Sequence, residues 1–449
     1  MKKNELDMLN GSILKGILTF SVPLIATNIL QLLFNAMDVV VVGRFAGSEC
    51  LAAVTSTNHL IHLFINLFTG MAIGVNVHIA RKIGEGKREA ISKSLHTAIL
   101  FAFICGIGLM IFGICISRTA LIYMNTPDNL IDLSTLYLKI YFISMPPMLV
   151  YEFGSAALRS KGDSKRPLFF LLLSGGINVV LNIFLVVVFK MTVDGVAIAT
   201  VVSQFISAFL VINLLRNEEG DYALSLSNLK IDWNSLKEIL ILGVPAGLQS
   251  TMFAISNVVI QSSINSFGST MMSGCGAASS VEGFANGTVQ GLASGALTYV
   301  SQNAGAKKYD RIIGTIKSTL LIMFITCSGI ALIAYFFDRQ LIGIYSTDQA
   351  VIDCGIIRIH FALYSYILYA VMQLAVSVLR GLKYSIIPTV TMMLGVCGTR
   401  LLWIYAMFDR YRKIETVMFT YPLSWGITMV VLWIFVIILL RKNKEALSS

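Results

Sequence analysis

Four polar side chains share one stripe of the first long apolar stretch, which runs from Ile17 to Val42. Asn28, Gln31, Asn35 and Asp38 recur at helical spacing, so one face of a helix carries all four. A carboxylate inside a membrane span is costly and usually faces protein or water. The stripe therefore predicts a substrate path or an ion site. The alternative is that these residues only hydrogen-bond to neighbouring membrane helices.

A second polar stripe lies in the seventh apolar stretch, where Asn257, Gln261 and Asn265 follow one another at intervals of four residues, about one helical turn. Aligning the two halves of the chain places Asn257 opposite Asn35. It places an isoleucine opposite Asp38. Ionisable chemistry at this position is therefore predicted for the N-terminal half alone, and Asn257 and Gln261 are predicted to line the cavity.

Two further charges fall inside apolar stretches of the second half, Glu282 in the eighth and Arg400 in the eleventh. Charges buried in a membrane tend to find partners. We therefore expect Glu282 and Arg400 to pair with each other or to face one substrate cavity. A purely structural salt bridge is the alternative.

Composition defines the class of protein that positions these residues. The chain has 449 residues, of which 56% are hydrophobic and 13% charged, whereas soluble proteins are about 25% charged. This predicts an all-α protein with many membrane spans, because a backbone in lipid must satisfy its own hydrogen bonds. The seven cysteines are scattered and form no Cys-x-x-Cys pair, so we predict neither a disulfide framework nor a metal site.

Twelve spans are predicted, six on each side of a polar linker. The predicted organisation is an N-terminal six-helix bundle over 1–215, a cytoplasmic linker over 216–237 and a C-terminal six-helix bundle over 238–449. The spans lie at 15–43, 51–79, 94–117, 131–157, 167–189, 193–215, 238–266, 273–301, 315–337, 351–379, 386–408 and 416–440.

Most of the 34 Lys and Arg residues fall in alternate loops. Cytoplasmic loops carry such an excess, so we expect both termini in the cytoplasm and the protein in the plasma (cytoplasmic) membrane of a prokaryote. The basic cluster of Arg410, Arg412 and Lys413 fits this orientation poorly. The net charge of +10 comes from loops beside spans, which indicates a lipid bilayer as partner and no nucleic acid.

The two halves repeat one pattern. Val22-Pro23 matches Val244-Pro245, and Leu158-Arg159 matches Leu379-Arg380. Because each half has six spans, the halves share one orientation. This is a parallel repeat related by a pseudo-two-fold axis along the membrane normal, a plan that transporters use.

These residues resemble the MATE (multidrug and toxic compound extrusion) family along the whole chain. The resemblance rests on Pro23 with the Asp38–Gly43 run, on Leu158–Pro167, on Gly195–Thr200 and on Ser301–Ala306. It implies a monomeric antiporter that exports small organic compounds, often cations, by alternating access. The exchanged ion is H⁺ or Na⁺, and no cofactor is expected.

The resemblance also implies a cation-coupling site in the N-terminal half. The positions that match it are Asp38, Asn178, Asn182 and Thr200. This chain departs from the family pattern at Asn182, where an aspartate is common, and this puts tight Na⁺ binding in doubt.

Other functions were weighed against transport. The chain lacks a P-loop and the motifs of metalloproteases and serine hydrolases, so we predict that it is not an enzyme. A flippase or exporter of a lipid-linked or other amphipathic metabolite is the alternative function. Such flippases tend to have cationic cavities, whereas Arg400 here lies among acids.

Overall fold

The computed structural model describes residues 5–124, 126–408 and 410–448. Its long elements are α-helices, as predicted, several of which are extended by short π-helical turns. In the first half these are α1 (Ile13–Val41), α2 (Ser48–Gly84), α3 (Arg88–Tyr123), α4 (Asp128–Phe142), α5 (Met145–Ser160), α6 (Lys165–Ile183) and α7 (Val193–Arg216). In the second half they are α8 (Trp233–Asn265), α9 (Ser269–Gly305), α10 (Tyr309–Gly343), α11 (Gln349–Tyr364), α12 (Tyr366–Gly381), α13 (Ile386–Met392), α14 (Thr399–Trp403), α15 (Ile414–Met418) and α16 (Thr420–Ser448).

Within the described residues, nine helices are long and apolar enough to cross a membrane, and eleven spans result if each of two bent pairs counts as one. The remaining predicted span corresponds to α9, which is 37 residues long. Its sequence is rich in Gly, Ser and Ala, which lowers its hydropathy below that of a lipid-facing helix. Such small residues let neighbouring helices approach closely.

Two spans that we predicted as continuous are broken in the structure. α4 and α5 are bent by 46°, and α11 and α12 are bent by 44°. α5 begins with prolines at its first positions, Pro146 and Pro147, where a missing N–H is tolerated. The hydropathy of these stretches gave no sign of the breaks, because both arms of each bend are apolar.

The described helices fall into two compact units. The N-terminal unit comprises Leu30–Gly243 with Glu5 and Leu6, and the C-terminal unit comprises Asp7–Ile29 with the described residues from Val244 onward. The predicted boundaries differ from this division. The first part of α1 belongs to the C-terminal unit, and the first part of α8 belongs to the N-terminal unit.

Specific contacts hold the segment that leads into α1 in the C-terminal unit. The Arg311 guanidinium donates to the carbonyls of Met8 and Gly11, at 3.2 and 2.7 Å. Further along α1, a Cβ on Gly295 would lie 2.1 Å from the Ser21 hydroxyl oxygen. Glycine at this position therefore allows α1 and α9 to pack closely.

Equivalent contacts hold the beginning of α8 in the N-terminal unit. A Cβ on Gly74 would lie 2.4 Å from the Ile239 carbonyl oxygen and 2.8 Å from the Gly243 nitrogen, so α2 and α8 cross almost backbone to backbone. Nearby, His78 Nδ1 lies 2.9 Å from a Glu238 carboxylate oxygen. The sequence comparison of the halves did not indicate this exchange, since it depends on which glycines face each other.

A buried carboxylate ties the linker to the N-terminal unit. Glu218 accepts from Arg166 at 2.5 Å and from Lys161 at 3.0 Å, and Lys161 also pairs with Glu5 at 2.6 Å. Burial alone would raise the pKa of Glu218, but the hydrogen bonds and charges of Arg166 and Lys161 outweigh it and hold that pKa below its usual value. Glu218 therefore stabilises the fold most when it is ionised.

We predict that Glu218→Gln lowers the free energy of unfolding by about 2 kcal/mol at pH 7, the usual contribution of hydrogen bonds to a charged group. Lys161 keeps Glu5 and Arg166 keeps Asp163 as acidic partners. A carboxylate with a lowered pKa contributes its full stability above the unfolded-state value of about 4.3. That contribution is lost as the pH falls through the lowered folded-state pKa.

Thermal unfolding of the detergent-purified protein between pH 3 and 8 tests this. Glu219→Gln changes a neighbouring exposed acid and is the control. Equal melting midpoints for the two variants at pH 7 would show that the contacts of Glu218 with Arg166 and Lys161 do not stabilise the fold.

Candidate functional site

A cluster in the N-terminal unit joins three of the predicted coupling residues. Asp38 lies near the end of α1, and Asn178 and Asn182 lie one turn apart on α6. The Asn182 amide nitrogen donates to Asp38 Oδ1 at 2.5 Å and to Asn178 Oδ1 at 3.2 Å. Asn178 and Asn182 are buried, whereas Asp38 is half-buried. We call these three residues the Asp38 cluster.

The orientation of Asn182 follows from its partner. A carboxylate only accepts hydrogen bonds when it is ionised, so Asn182 must turn its NH₂ group towards Asp38. Its own Oδ1 is then directed elsewhere, and it is buried without a hydrogen-bond partner among the described residues. The cluster therefore combines one carboxylate with amide oxygens, one of which is unpaired, and this arrangement suits a proton or a hard cation.

Two tyrosines that the sequence analysis did not single out lie beside the cluster. Tyr137 and Tyr141, both on α4, pack in the hydrophobic cluster that contains Val41 and Val42, three and four residues beyond Asp38. Their rings lie 5.9 Å apart. Their spacing of one helical turn on a predicted span was a usable signal, but it resembled ordinary lipid-facing aromatics.

One glycine lets α1 lie against α6. A Cβ on Gly175 would be 2.1 Å from the Phe34 ring, which packs directly over the glycine. Phe34 is one turn before Asp38 on α1. Past the cluster, both helices continue as π-helical turns, Val42–Ala46 after α1 and Phe184–Val188 after α6. Such turns occur frequently at functional sites.

The other N-terminal candidates are placed differently. The Thr200 hydroxyl donates within its own helix, to the Val196 carbonyl at 3.1 Å. Gln31 and Asn35 are exposed. The Asn28 amide donates to the Gly287 carbonyl at 2.9 Å, so it fastens α1 to α9 within the C-terminal unit. That contact matches the alternative considered for the stripe, a hydrogen bond between membrane helices.

In the C-terminal unit, we predicted that Glu282 pairs with Arg400, and the structure shows a different partner. Glu282 forms a two-pronged ion pair with Arg358 of α11, with Nε 2.7 Å from Oε1 and Nη2 3.0 Å from Oε2. Close packing of α9 and α11 makes this contact, since a Cβ on Gly274 would lie 2.7 Å from the Gly355 nitrogen. Arg358 was not weighed in the sequence, although it lies within the tenth predicted span.

Arg400 is instead surrounded by neutral groups. Its guanidinium donates to Asn257 Oδ1 at 3.0 Å and to the Ser424 hydroxyl at 3.2 Å. It also lies over the rings of Tyr421 and Phe253, at 4.8 and 5.3 Å from their centroids. The side chain is 1% exposed. Gln261, one turn beyond Asn257, is exposed and donates to Asn265 at 2.8 Å.

Comparison with known proteins identifies the scaffold. The family model described as MatE matches residues 23–184 and then matches again over residues 245–406. The chain belongs to the MATE family. The double match covers most of the chain and confirms the predicted repeat, and it makes the protein a multi-pass membrane transporter of this family and not an enzyme.

Similar proteins agree with this assignment over nearly the full length. The chain is 26% identical over 431 residues to the "Probable multidrug resistance protein YoeA" of Bacillus subtilis, covering 94% of this chain and 93% of that protein. It is 24% identical to a "FAD transporter" of Shewanella oneidensis, covering 78% of each. A solved structure described as the outward-facing conformation of a multidrug resistance MATE family transporter superposes with a TM-score of 0.92 at 18% identity. That match covers 99% of this chain and 100% of the other.

We predict that Gly175→Ala lowers the free energy of unfolding by about 1–3 kcal/mol, the usual cost of overpacking. The new methyl group would displace the Phe34 ring and loosen the contact between Asp38 and Asn182. Gly176→Ala is a matched control, because a Cβ at Gly176 meets nothing within 4 Å. Thermal midpoints of the two purified variants test the packing, and equal midpoints would contradict it.

We also predict that the ion pair in the C-terminal unit can be reversed. Glu282→Arg and Arg358→Glu should each destabilise the protein by about 3–5 kcal/mol, because each leaves a buried charge beside a like charge. The double exchange should recover most of this loss. Combining Glu282→Arg with Arg400→Glu should recover nothing, and fluorescence-detected melting of all four variants would show which arginine is the partner.

Proposed function

We propose that this MATE protein is a secondary active transporter that exports organic compounds in exchange for a cation bound at the Asp38 cluster. The observation that carries the proposal is the buried Asn182 oxygen without a partner beside the carboxylate of Asp38. A transporter needs a group whose charge changes when the ion binds. The Asp38 cluster offers such a group inside a membrane span.

The charge of the cluster limits which ion it accepts. With asparagine at position 182, Asp38 is its only carboxylate, so one positive charge neutralises it. H⁺ and Na⁺ both meet this condition, whereas a divalent ion would leave a net positive charge in a buried position. A proton needs a single oxygen, and Na⁺ would use the amide oxygens of Asn178 and Asn182 as well. Thr200 remains a proposed additional ligand.

The ion and the amide nitrogen of Asn182 compete for the same oxygen atoms. When the cluster is empty, Asn182 donates to Asp38 and partly offsets its charge. A proton or Na⁺ on Asp38 removes the need for that hydrogen bond, so binding of the ion changes how α1 is held to α6. We propose that this local change couples ion binding to alternating access.

The proposed cargo is an amphipathic organic compound. We predicted cationic cargo from the family resemblance and, in part, because Arg400 was expected to lie among acids such as Glu282. In the structure, Arg358 engages both of its carboxylate oxygens, so Asp38 is the remaining argument for a cation. The similar proteins named above include one called a multidrug resistance protein and one called a FAD transporter. Because Asp38 is an acid, organic cations are the first compounds to test in the export assay.

A flippase or exporter of a lipid-linked or other amphipathic metabolite is the second candidate. One observation favours it: Arg400 is buried among neutral partners, which adds positive charge to the C-terminal unit. In either case we propose that the protein acts in the cytoplasmic membrane with both termini in the cytoplasm, as the distribution of Lys and Arg predicts.

We predict that Asp38→Asn lowers gradient-driven export at least tenfold, because an amide does not bind a proton or balance the charge of Na⁺. The protein would be reconstituted in liposomes loaded with a fluorescent organic cation, and pH and Na⁺ gradients would be imposed separately. Asp132→Asn is the control, since Asp132 is an exposed acid paired with Arg118.

The gradient that drives export by the wild type identifies the coupling ion. Full coupling in Asp38→Asn would exclude the Asp38 cluster as the coupling site. Failure of both gradients to move any cation tested would favour anionic or lipid-linked cargo.

A further inference from the structure

Two exposed amides of the C-terminal unit are held in one orientation by buried donors. Asn257 of α8 is exposed, and its Oδ1 accepts from Arg400. An arginine has only donors, so the amide must present its oxygen inward. Its NH₂ group therefore points away from Arg400, and it has no protein partner among the described residues.

Asn286 of α9 is fixed in the same sense. The Tyr369 hydroxyl accepts from Gln373 at 2.9 Å and from Gln290 at 3.1 Å. Its two lone pairs are then used, so its proton goes to Asn286 Oδ1 at 2.9 Å. Asn286 is exposed, and its NH₂ group is also directed outward without a protein partner in the described part of the chain. Both amides thus offer hydrogen-bond donors.

Buried aromatic rings connect the two amides. Arg400 and Arg358 both lie over the Tyr421 ring, at 4.8 and 5.6 Å from its centroid. Trp425 is 5.5 Å from Tyr421 and 5.3 Å from Tyr369. We call the set of Asn257, Arg400, Tyr421, Trp425, Tyr369 and Asn286 the arginine–amide network.

The charge behind this network is positive. Glu282 and Arg358 neutralise each other in a two-pronged pair. Among the described residues, no carboxylate lies within 4.0 Å of Arg400, which is 1% exposed and has only neutral hydrogen-bond partners. A buried charge without a counter-ion is costly, and an anion bound in front of Asn257 would lower that cost.

We propose that the arginine–amide network is a substrate subsite for an organic anion, such as the carboxylate of an amphipathic aromatic compound. The inference rests on the proposed export function and names the chemical class of its cargo. The outward NH₂ group of Asn257 donates to the anion, and that of Asn286 offers a second donor at the other end of the network. Arg400 polarises the Asn257 amide from behind and supplies the compensating charge, while the aromatic side chains of Phe253 and Tyr421 surround Arg400.

The test compares two probes that differ in one group, dansylglycine with a carboxylate and dansylglycinamide with a neutral amide. Binding to the purified full-length protein is measured by energy transfer from tryptophan, since Trp425 lies within the network. We expect dansylglycine to bind about tenfold more tightly, the effect of one charge-assisted hydrogen bond. Asn257→Asp should abolish this preference, because its carboxylate takes the place of the anion beside Arg400.

Gln340→Glu is the matched control. It adds the same charge at an exposed side chain of α10, a helix that contributes no residue to the arginine–amide network, and it should keep the preference. Asn286→Asp should weaken it. No binding of dansylglycine, equal affinities of the wild type for both probes, or an unchanged preference in Asn257→Asp would overturn the proposal.

The probe experiment is independent of ion coupling. Asp38→Asn should lose gradient-driven export and retain the preference for dansylglycine. If export of a cation is coupled normally but the probe preference is absent, the subsite proposal fails and the proposed function stands. If the preference is present but neither gradient drives export of any compound, the proposed function fails.

Discussion

The charged side chains inside the membrane spans of this protein need polar partners within their own unit, and this constraint organises both units. Hydrocarbon offers no water to a carboxylate or a guanidinium. Asp38 is met by the amide of Asn182, and Glu282 is met by both prongs of Arg358. Arg400 is met only by neutral oxygens and aromatic rings. The first and last arrangements are incomplete, because a charge remains that a bound ion or substrate group can neutralise.

The repeat therefore supplies one scaffold with two kinds of chemistry. Asn35 and Asn257 occupy matching positions, but only the N-terminal copy carries an acid one turn later. The same asymmetry recurs near the ends of the broken spans. Arg159 lies 3.9 Å from Glu152. In the second half, Gln373 takes the position that corresponds to Glu152. The matching Arg380 donates to a different glutamine, Gln249, at 2.9 Å. The C-terminal copy thus lacks an acid at both positions. That copy is thereby more positive, which is consistent with a division into a cation-binding unit and an anion-binding unit.

Much of this could be predicted from sequence, because it follows from periodicity and hydropathy. These patterns predict the helices, the repeat and the shared face of Asn178 and Asn182, which lie one turn apart. The grouping of these two asparagines with Asp38 came from the family resemblance. The patterns do not predict the pairing of Glu282, because the choice between Arg358 and Arg400 depends on how closely two helices approach. Gly274 and Gly355 decide that distance, and their effect is visible only once α9 and α11 are packed. The exchange of the first parts of α1 and α8 was missed for the same reason. Gly74, Gly243 and Gly295 look like ordinary small residues until their neighbours are known.

The division of α1 gives the Asp38 cluster its mechanical meaning. The part before Leu30 is held in the C-terminal unit through Asn28 and Ser21, and the part after it is held in the N-terminal unit through Phe34 and Asp38. Two contacts of the part after Leu30 have been described, Phe34 on Gly175 and Asp38 with Asn182, and of these the Asp38 contact depends on charge. We propose that a proton or Na⁺ on Asp38 competes with Asn182 and weakens that contact, while the packing of Phe34 on Gly175 stays unaffected. In the proposed mechanism, ion binding would therefore act on a helix whose two parts belong to different units.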